Sequence, residues 1–282
     1  MQLHRESRSN PKTILKTKDF DIAKSKQYHL SLKIGIDNFS FCILDTVTLS
    51  YNYLVVNYFT YISIKDTVEK ITSIIKNNNL FQLNFSSSSL IYSGFPNTLL
   101  PKELEDSTNE KKLLEFNDDK CYEKIYFDII DNIKIIYSIP ETVDNITKTF
   151  FPTCKTMSEE KIFLEKKIYR DLSTCVYINF NLNSFSLTIF ENKELKLQNS
   201  FNYKNAEDVL YYVLFCMEQL NLSTIKTPVV LFGNIDYNDK IYELMFNYIK
   251  DISFGDIDKN LRLNLKKDRH KYFSLVSQIL CV

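Results

Sequence analysis

The feature of this sequence that most restricts its fold is an order of five elements that occurs twice. Each half holds three β-rich runs, then a helical segment with regularly spaced apolar residues, then a short apolar strand. Strands that alternate with helices in this way are typical of α/β domains. The segments are 29–36, 39–44, 49–61, 64–75 and 90–92 in the first half, and 175–182, 185–190, 194–203, 206–220 and 229–232 in the second.

The two halves also align residue by residue over three short stretches. Residues 39–45 align with 185–191, residues 57–61 with 199–203, and residues 90–94 with 229–233, and the separation shrinks slowly along the chain. Loop-length differences produce such a drift, and a repeat of this length is domain-sized. An internal duplication is therefore predicted. Chance matches among the abundant Phe, Tyr and Asn residues are the alternative.

The remaining segments complete a predicted domain plan. An N-terminal arm (1–28) precedes a first domain (29–171) with an insertion at about 95–171, and a second domain covers 172–282. In the insertion, 123–130 and 133–139 predict a hairpin turning at Asp131-Asn132. A helix is expected around 143–151, and alternation over 162–169 predicts a half-exposed strand. Further helices are expected at 241–249 and 270–280.

Composition limits the classes of partner and compartment. Lys+Arg and Asp+Glu are equal at 35 each, which removes the charge excess of a dedicated nucleic-acid binder. The longest apolar run, 209–217, is too short for a membrane span, and no secretory signal is visible at the N-terminus. The six cysteines are then expected to be reduced, buried thiols in a soluble cytoplasmic protein.

Two domains with this order of elements resemble the duplicated ribonuclease-H-like fold of the actin, Hsp70 and sugar-kinase superfamily. Residues 30–45, Leu99-Leu100-Pro101 and Phe232-Gly233-Asn234 further resemble an uncharacterised family of Bacteroidetes proteins with an actin-like ATPase fold. The resemblance covers about 20–275. It implies a nucleotide site between the two halves, with a phosphate loop after the first strand of each domain.

The residues at those two loops differ from the pattern found in the phosphate loops of a working ATPase. Such loops place an Asp close to Gly, because the absent Cβ lets backbone amides approach phosphate. Here Asp37 is followed by Phe39, and in the second copy Asn183 is followed by Phe185. Asn lacks the negative charge that Mg²⁺ favours. The adenosine-contacting turn, normally with paired glycines, retains Gly233 before Asn234.

Two interpretations of these residues stay open. In one, Asp37, Asn183, Gly233 and Asn234 are remnants that hold ATP and Mg²⁺; in the other they are ordinary turn residues. Alternation places both phenylalanine rings in their own domain cores. No catalytic residue or metal ligand is otherwise predicted, and the paired carboxylates Asp118-Asp119 and Glu159-Glu160 are expected to lie on solvated faces.

The sequence thus favours a non-catalytic, pseudo-ATPase function. The leading hypothesis is a cytoplasmic scaffold that binds another protein or itself, without a cofactor. The alternative is a divergent ATP-binding protein or ATPase that uses the interdomain cleft. The 18 Tyr and 21 Phe are expected mainly in the core and in cross-strand pairs, with an exposed partner-binding surface as the competing possibility.

Overall fold

A computed structural model describes residues 12–107, 109–118, 120–165 and 173–282. These residues form two compact units. The first unit contains 12–162, 258–265 and 275–282, and the second contains 163–257 and 266–274. The predicted boundary at 171/172 lies outside the described residues, and the predicted domain limits stay a prediction.

The first unit contains nine strands in two sheets. A six-stranded sheet has the order β1-β4-β3-β2-β5-β9, and a three-stranded sheet has the order β6-β8-β7. Strands β1 to β4 pair antiparallel, whereas β2, β5 and β9 are parallel to one another. The strands are β1 (Lys12–Lys16), β2 (Tyr28–Gly35), β3 (Asn38–Asp45), β4 (Ser50–Tyr58), β5 (Ser87–Ser93), β6 (Asn97–Pro101), β7 (Lys124–Ile130), β8 (Ile133–Ile139) and β9 (Lys155–Ser158).

The second unit contains one five-stranded sheet in the order β12-β11-β10-β13-β14. Its pairing repeats that of the first sheet without β1, with two antiparallel pairs on one side of β10 and two parallel pairs on the other. The strands are β10 (Cys175–Phe180), β11 (Ser184–Glu191), β12 (Glu194–Asn202), β13 (Val229–Gly233) and β14 (Ile252–Phe254).

The helices pack on these sheets through apolar stripes. Helix α1 (Ile64–Lys76) contributes Ile71 and Ile75 to the first core, and its N-cap residue is Ser63, whose side chain accepts the Asp66 N–H. Helix α5 buries Val209 and Val213 in the second core and is capped likewise by Asn205. The helices are α1 (Ile64–Lys76), α2 (Glu110–Asn117), α3 (Glu141–Phe150), α4 (Glu159–Leu164), α5 (Ala206–Gln219), α6 (Lys240–Tyr248) and α7 (Phe273–Ser277). No described helix is long and apolar enough to span a bilayer.

The two large sheets share an irregularity as well as a strand order. A β-bulge interrupts the β3–β4 ladder between Ile43 and Leu44. A second bulge interrupts the β11–β12 ladder between Ile189 and Phe190, which the sequence alignment pairs with Ile43 and Leu44. Residues 39–44 and 185–190 therefore occupy the same strand position in their sheets, as predicted. These features agree with an internal duplication, which itself stays a prediction.

The C-terminal segment, residues 275–282, covers the face of the first sheet opposite α1. Gln278 donates its side-chain amide to the Leu32 carbonyl at 3.0 Å and accepts a hydrogen bond from Ser89 Oγ at 2.7 Å. The Tyr51 hydroxyl donates to the Val276 carbonyl. Because Ser89 uses its proton on Gln278, the buried His29 donates from Nε2 to Ser89 Oγ at 2.9 Å. These contacts hold residues 275–282 against strands β2, β4 and β5.

Two sequence expectations need correction. The alternation at 162–169 predicts a strand, but Ile162–Leu164 close helix α4 and are buried, and 166–172 lie outside the described residues. The predicted N-terminal arm also contains an ordered strand, because β1 pairs with β4. The hairpin at Asp131-Asn132 is confirmed, and residues 269–281 are helical in three short segments.

Candidate functional site

The four residues predicted to hold a nucleotide are divided between the two units. Asp37 lies in the β2–β3 turn of the first unit. Asn183 lies in the corresponding β10–β11 turn of the second unit, and Gly233 and Asn234 lie at the end of β13 in that unit. Within the second unit, Phe180 pairs with Gly233 across the parallel β10–β13 ladder, and its carbonyl accepts the Asn234 N–H at 2.7 Å.

The β2–β3 turn is tight and closed on itself. Asp37 is only 6% exposed, and its Oδ1 accepts a hydrogen bond from Asn38 Nδ2 at 2.9 Å. Burial raises the pKa of the Asp37 carboxyl, while the Asn38 hydrogen bond and the nearby Lys33 partly oppose that rise. Phe39 is fully buried in the first core, so the predicted position of its ring is confirmed.

The β10–β11 turn has the same register as the β2–β3 turn, because Phe180 pairs with Phe185 as Ile34 pairs with Phe39, but its chemistry differs. The Asn183 side chain is exposed, and the Asn183 backbone carbonyl accepts the Tyr203 N–H at 3.1 Å. The Tyr203 hydroxyl lies 3.2 Å and 3.0 Å from the carbonyl oxygens of Asn181 and Leu182. Phe185 is fully buried in the second core, again as predicted. The turn thus presents carbonyl groups that are already engaged by a tyrosine.

Gly233 is explained by close packing within the sheet. Its φ is +78°, and a Cβ at this position would lie 2.2 Å from the backbone oxygen of Phe180. Only glycine fits such an approach between β13 and the end of β10. This contact accounts for the residue without a ligand.

A buried polar cluster that the sequence reasoning missed lies at the carboxyl ends of β2, β5 and β9. Carboxyl ends of parallel strands meet at one edge of an α/β sheet, where ligands often bind. We name this set the carboxylate cluster; it comprises Lys33, Asp37, Asp128, Glu159, Glu160 and Lys161.

Glu159 links the carboxylate cluster to two strands of the large sheet. Its Oε1 lies 2.5 Å from Lys33 Nζ, and its Oε2 accepts a hydrogen bond from Ser93 Oγ at 2.5 Å. Lys33 and Ser93 lie on the adjacent parallel strands β2 and β5, so the first turn of α4 is tied to both. Buried charges require this kind of pairing.

Glu160 has an unusual protonation equilibrium. Burial, followed by the nearby Glu159 and Asp128 carboxylates, raises its pKa to about 8, despite the opposing effect of Lys33. Asn97 Nδ2 donates to Glu160 Oε1 at 3.1 Å. The side chain is therefore mostly protonated at neutral pH.

Asp128 joins the insertion to the large sheet. It accepts hydrogen bonds from Ser158 N at 2.7 Å and Ser158 Oγ at 2.9 Å, and Lys161 Nζ lies 3.6 Å away. Burial raises the pKa of its carboxyl. Each strongly basic member of the cluster thus faces a carboxylate of the chain itself.

The expectation that Glu159 and Glu160 lie on a solvated face is wrong. Both are buried, because the chain turns from β9 directly into α4 and carries them under the sheet edge. The available signal was the apolar residues on both sides of the pair, namely Met157 before it and Ile162-Phe163-Leu164 after it. A pair of carboxylates on the surface is seldom flanked so closely by core residues. Among the described residues, no group of three or more His, Cys, Asp or Glu side chains is arranged to hold a metal ion.

A family model described as "Protein of unknown function (DUF3822)" matches residues 17–252. The chain belongs to the DUF3822 family. No match to a curated protein was found for this DUF3822 chain.

Solved structures define its fold. A Bacteroides thetaiotaomicron protein described as having an actin-like ATPase fold and unknown function is similar over 93% of this chain and 99% of its own, with 20% identity and a TM-score of 0.78. The PilM–PilN type IV pilus biogenesis complex follows, with 8% identity, 90% and 98% coverage and a TM-score of 0.59. The ethanolamine utilization protein EutJ from Carboxydothermus hydrogenoformans has 7% identity, 89% and 88% coverage and a TM-score of 0.50.

The resemblance noted in the sequence is confirmed by these comparisons. The DUF3822 chain has a mixed α/β structure with the actin-like ATPase fold. At identities of this size the likeness concerns the fold alone, so the chemistry has to be argued from the residues of this chain.

Proposed function

We propose that the DUF3822 chain is a non-catalytic protein of actin-like fold that acts as a cytoplasmic interaction scaffold. The observation that supports this most is the state of the two turns where phosphate loops would lie. In both tight hairpin turns a fully buried phenylalanine, Phe39 or Phe185, stands where a phosphate loop has glycine after its Asp, and the Gly35 of the first turn precedes Asp37 instead. A loop that wraps phosphate needs several backbone amides directed at the ligand, and these short turns leave no room for such a series.

The electrostatics of the first unit support the same proposal. In the carboxylate cluster Lys33 faces Glu159 and Lys161 faces Asp128, so the lysines are neutralised by the chain. A triphosphate would have to displace these carboxylates. Burial also raises the pKa of Asp37, which disfavours the ionised form that a divalent metal requires.

Three further observations support an interaction role in the cytoplasm. Large aromatic side chains remain exposed on the second unit, including Tyr211, Phe215 and Tyr248. Exposed aromatics of this kind are enriched at protein interfaces. The similar PilM–PilN structure is itself a protein complex, so the fold is compatible with such a role. All six cysteines are free, which suits a reducing compartment.

Divergent ATP binding is the second candidate function, and one observation favours it. Asp37 stands at the superfamily's metal-contacting position and belongs to a buried cluster with Lys33 at the carboxyl ends of parallel strands. That is a common place for ligands in α/β proteins. If ATP binds, Asp37, Asn183, Gly233 and Asn234 are the residues expected to contact it.

Thermal unfolding with and without Mg²⁺-ATP separates the two functions. A ligand that binds the native state must stabilise it in proportion to its saturation. We expect the melting temperature to be unchanged by millimolar Mg²⁺-ATP relative to Mg²⁺ alone. An upward shift of several degrees that disappears in Asp37→Ala, with the fold retained, would establish the ATP-binding alternative. Steady ATP turnover that is lost in Asp37→Ala would establish that the chain hydrolyses ATP.

A further inference from the structure

We propose that the DUF3822 chain forms a dimer in which β7, an edge strand of the three-stranded sheet, pairs antiparallel with β7 of a second copy. The inference rests on the proposed interaction function and names its partner. Pairing of this kind joins two three-stranded sheets into one six-stranded sheet about a twofold axis.

The first step is the open edge of β7. The strand pairs with β8 on one side, and no strand in the described parts of the chain pairs with its other side. The β7–β8 ladder is regular over all seven residues of β7, without a bulge. Its two-residue turn makes Ile130 and Ile133 a hydrogen-bonded pair, and the bonding alternates from there. Ile125, Phe127 and Ile129 therefore direct their backbone N–H and C=O groups outward.

The second step is the apolar surface that the same three residues form. Phe127 and Ile129 are 53% and 47% exposed, and Ile125 packs against the small core that contains Leu114 of α2. Lys134 Nζ lies 4.3 Å from the centroid of the Phe127 ring, but two glutamates balance its charge. Natural proteins usually cover or charge a long edge, because its free backbone groups invite another strand. This edge is apolar and uncovered.

The third step is that the charged residues of β7 are engaged within the first unit. Asp128 points to the opposite face of the sheet, where its carboxylate accepts hydrogen bonds from Ser158. Lys124 Nζ lies 2.7 Å from Glu141 Oε1. Glu123, directly before the strand, is held toward the end of β8, because its Oε2 accepts the Glu141 N–H at 3.2 Å. None of these charges guards the outer edge against another strand.

A second copy matches this edge because the exposed face of β7 is palindromic. It reads Ile-x-Phe-x-Ile in both directions, so an antiparallel copy presents the same pattern. A register centred on Phe127 pairs all seven residues and forms hydrogen bonds at each outward position. No like charges meet in the ladder, and the exposed apolar residues meet one another. The cross-strand pairs are Lys124 with Ile130, Ile125 with Ile129, Tyr126 with Asp128, and Phe127 with its own copy.

Sedimentation velocity of the full chain over a hundredfold concentration range tests the proposal. We expect a species of twice the monomer mass for the natural sequence. Phe127→Pro removes an outward N–H that β8 does not use, and proline is tolerated at such edge positions. Ile129→Lys places a charge in the apolar surface. Each is expected to weaken the dimer about tenfold or more, whereas Val47→Lys, at an exposed apolar residue of the β3–β4 turn, is expected to leave it intact.

Disulfide trapping tests the register. Cα atoms of a hydrogen-bonded antiparallel pair lie about 5.5 Å apart, within the range that a disulfide spans. Mild oxidation of Phe127→Cys is therefore expected to link two copies through position 127, as mass spectrometry of the linked peptides would show. Val47→Cys is the matched control and is expected to give no such link.

Circular dichroism confirms that each variant is folded. A natural chain that stays monomeric throughout, including one that instead captures a foreign strand, overturns the inference. So does a dimer that survives both edge variants, or one in which Phe127→Cys gives no link between the copies. The nucleotide assay tests the proposed function separately, since ATP-dependent stabilisation does not depend on the oligomeric state.

Discussion

At the residue scale, Glu160 makes the stability of the first unit depend on pH in an unusual direction. Its pKa is 4.5 in the absence of the fold and about 8 inside it. Between those values the folded chain holds a proton that the unfolded chain has lost. The free energy of unfolding therefore falls as pH rises through this window, by up to about 1.4 kcal/mol per pH unit from this group.

Glu160→Gln tests this dependence, because glutamine keeps an oxygen for Asn97 but cannot ionise. Urea denaturation at pH 5.5 and pH 8.5 is expected to show a smaller loss of stability for the variant than for the natural chain. The raised pKa values of Asp37 and Asp128 leave a residual slope of the same sign. Glu218→Gln, at an exposed position on α5, serves as the control. An identical slope in Glu160→Gln and the natural chain would contradict the assignment.

The two functional hypotheses give Gly233 different roles, as a residue needed for sheet packing or as a residue that contacts a nucleotide. If it is needed for sheet packing, Gly233→Ala should cost several kcal/mol of stability, because its Cβ meets the Phe180 backbone. Gly233→Asn should cost a similar amount, although asparagine tolerates a positive φ. Thermal or chemical denaturation measures both. Rescue by asparagine would show that φ alone matters and leave the packing explanation without support.

At the element scale, the strands were predictable wherever apolar periodicity dominates. The three antiparallel strands, the first helix and the following parallel strand of each copy were found, since each forms the core of its own unit. Strand β9 was missed because Lys155–Ser158 is short and has Met157 as its single apolar residue, and its place in the sheet depends on the parallel partner β5. The carboxylate cluster was missed for a related reason. Its members lie far apart in sequence, and only the sheet brings them together.

The C-terminal segment is the element whose role is easiest to test. Gln278→Ala leaves the Leu32 carbonyl and the Ser89 hydroxyl buried without their present partner. Unsatisfied buried groups cost roughly 1–3 kcal/mol, so the midpoint of denaturation should fall accordingly. Gln219→Ala, at an exposed position ending α5, should have little effect. Equal midpoints for Gln278→Ala and the natural chain would mean that the segment is not held as described.

At the scale of the whole molecule, the reactivity of the six cysteine thiols indicates how well the cores of both units are packed. Cys42, Cys175 and Cys216 are buried, whereas Cys121, Cys154 and Cys281 are half-buried, so the expectation of six buried thiols is only partly right. Burial raises the pKa of Cys154 and of Cys175 to about 11, which slows their reaction with thiol reagents.

A thiol-reactive dye at pH 8 should therefore label no more than three cysteines readily in the folded chain and all six in denaturant. Counting labels by mass spectrometry also identifies the positions. Prompt labelling of Cys42 or Cys216 would contradict the packing of the corresponding core. Fewer than six labels in denaturant without reductant would reveal a disulfide.

The position of residues 275–282 in the first unit has a consequence for biosynthesis. Those residues are synthesised after every strand of both units, yet they cover the polar side chains of His29 and Ser89 on strands that are made much earlier. The second unit, by contrast, draws almost all of its sheet from one continuous stretch of chain. A growing chain can therefore complete the second sheet before residues 275–282 are made, whereas the first sheet stays open on one face until they are. The unit made first is the one that finishes folding last.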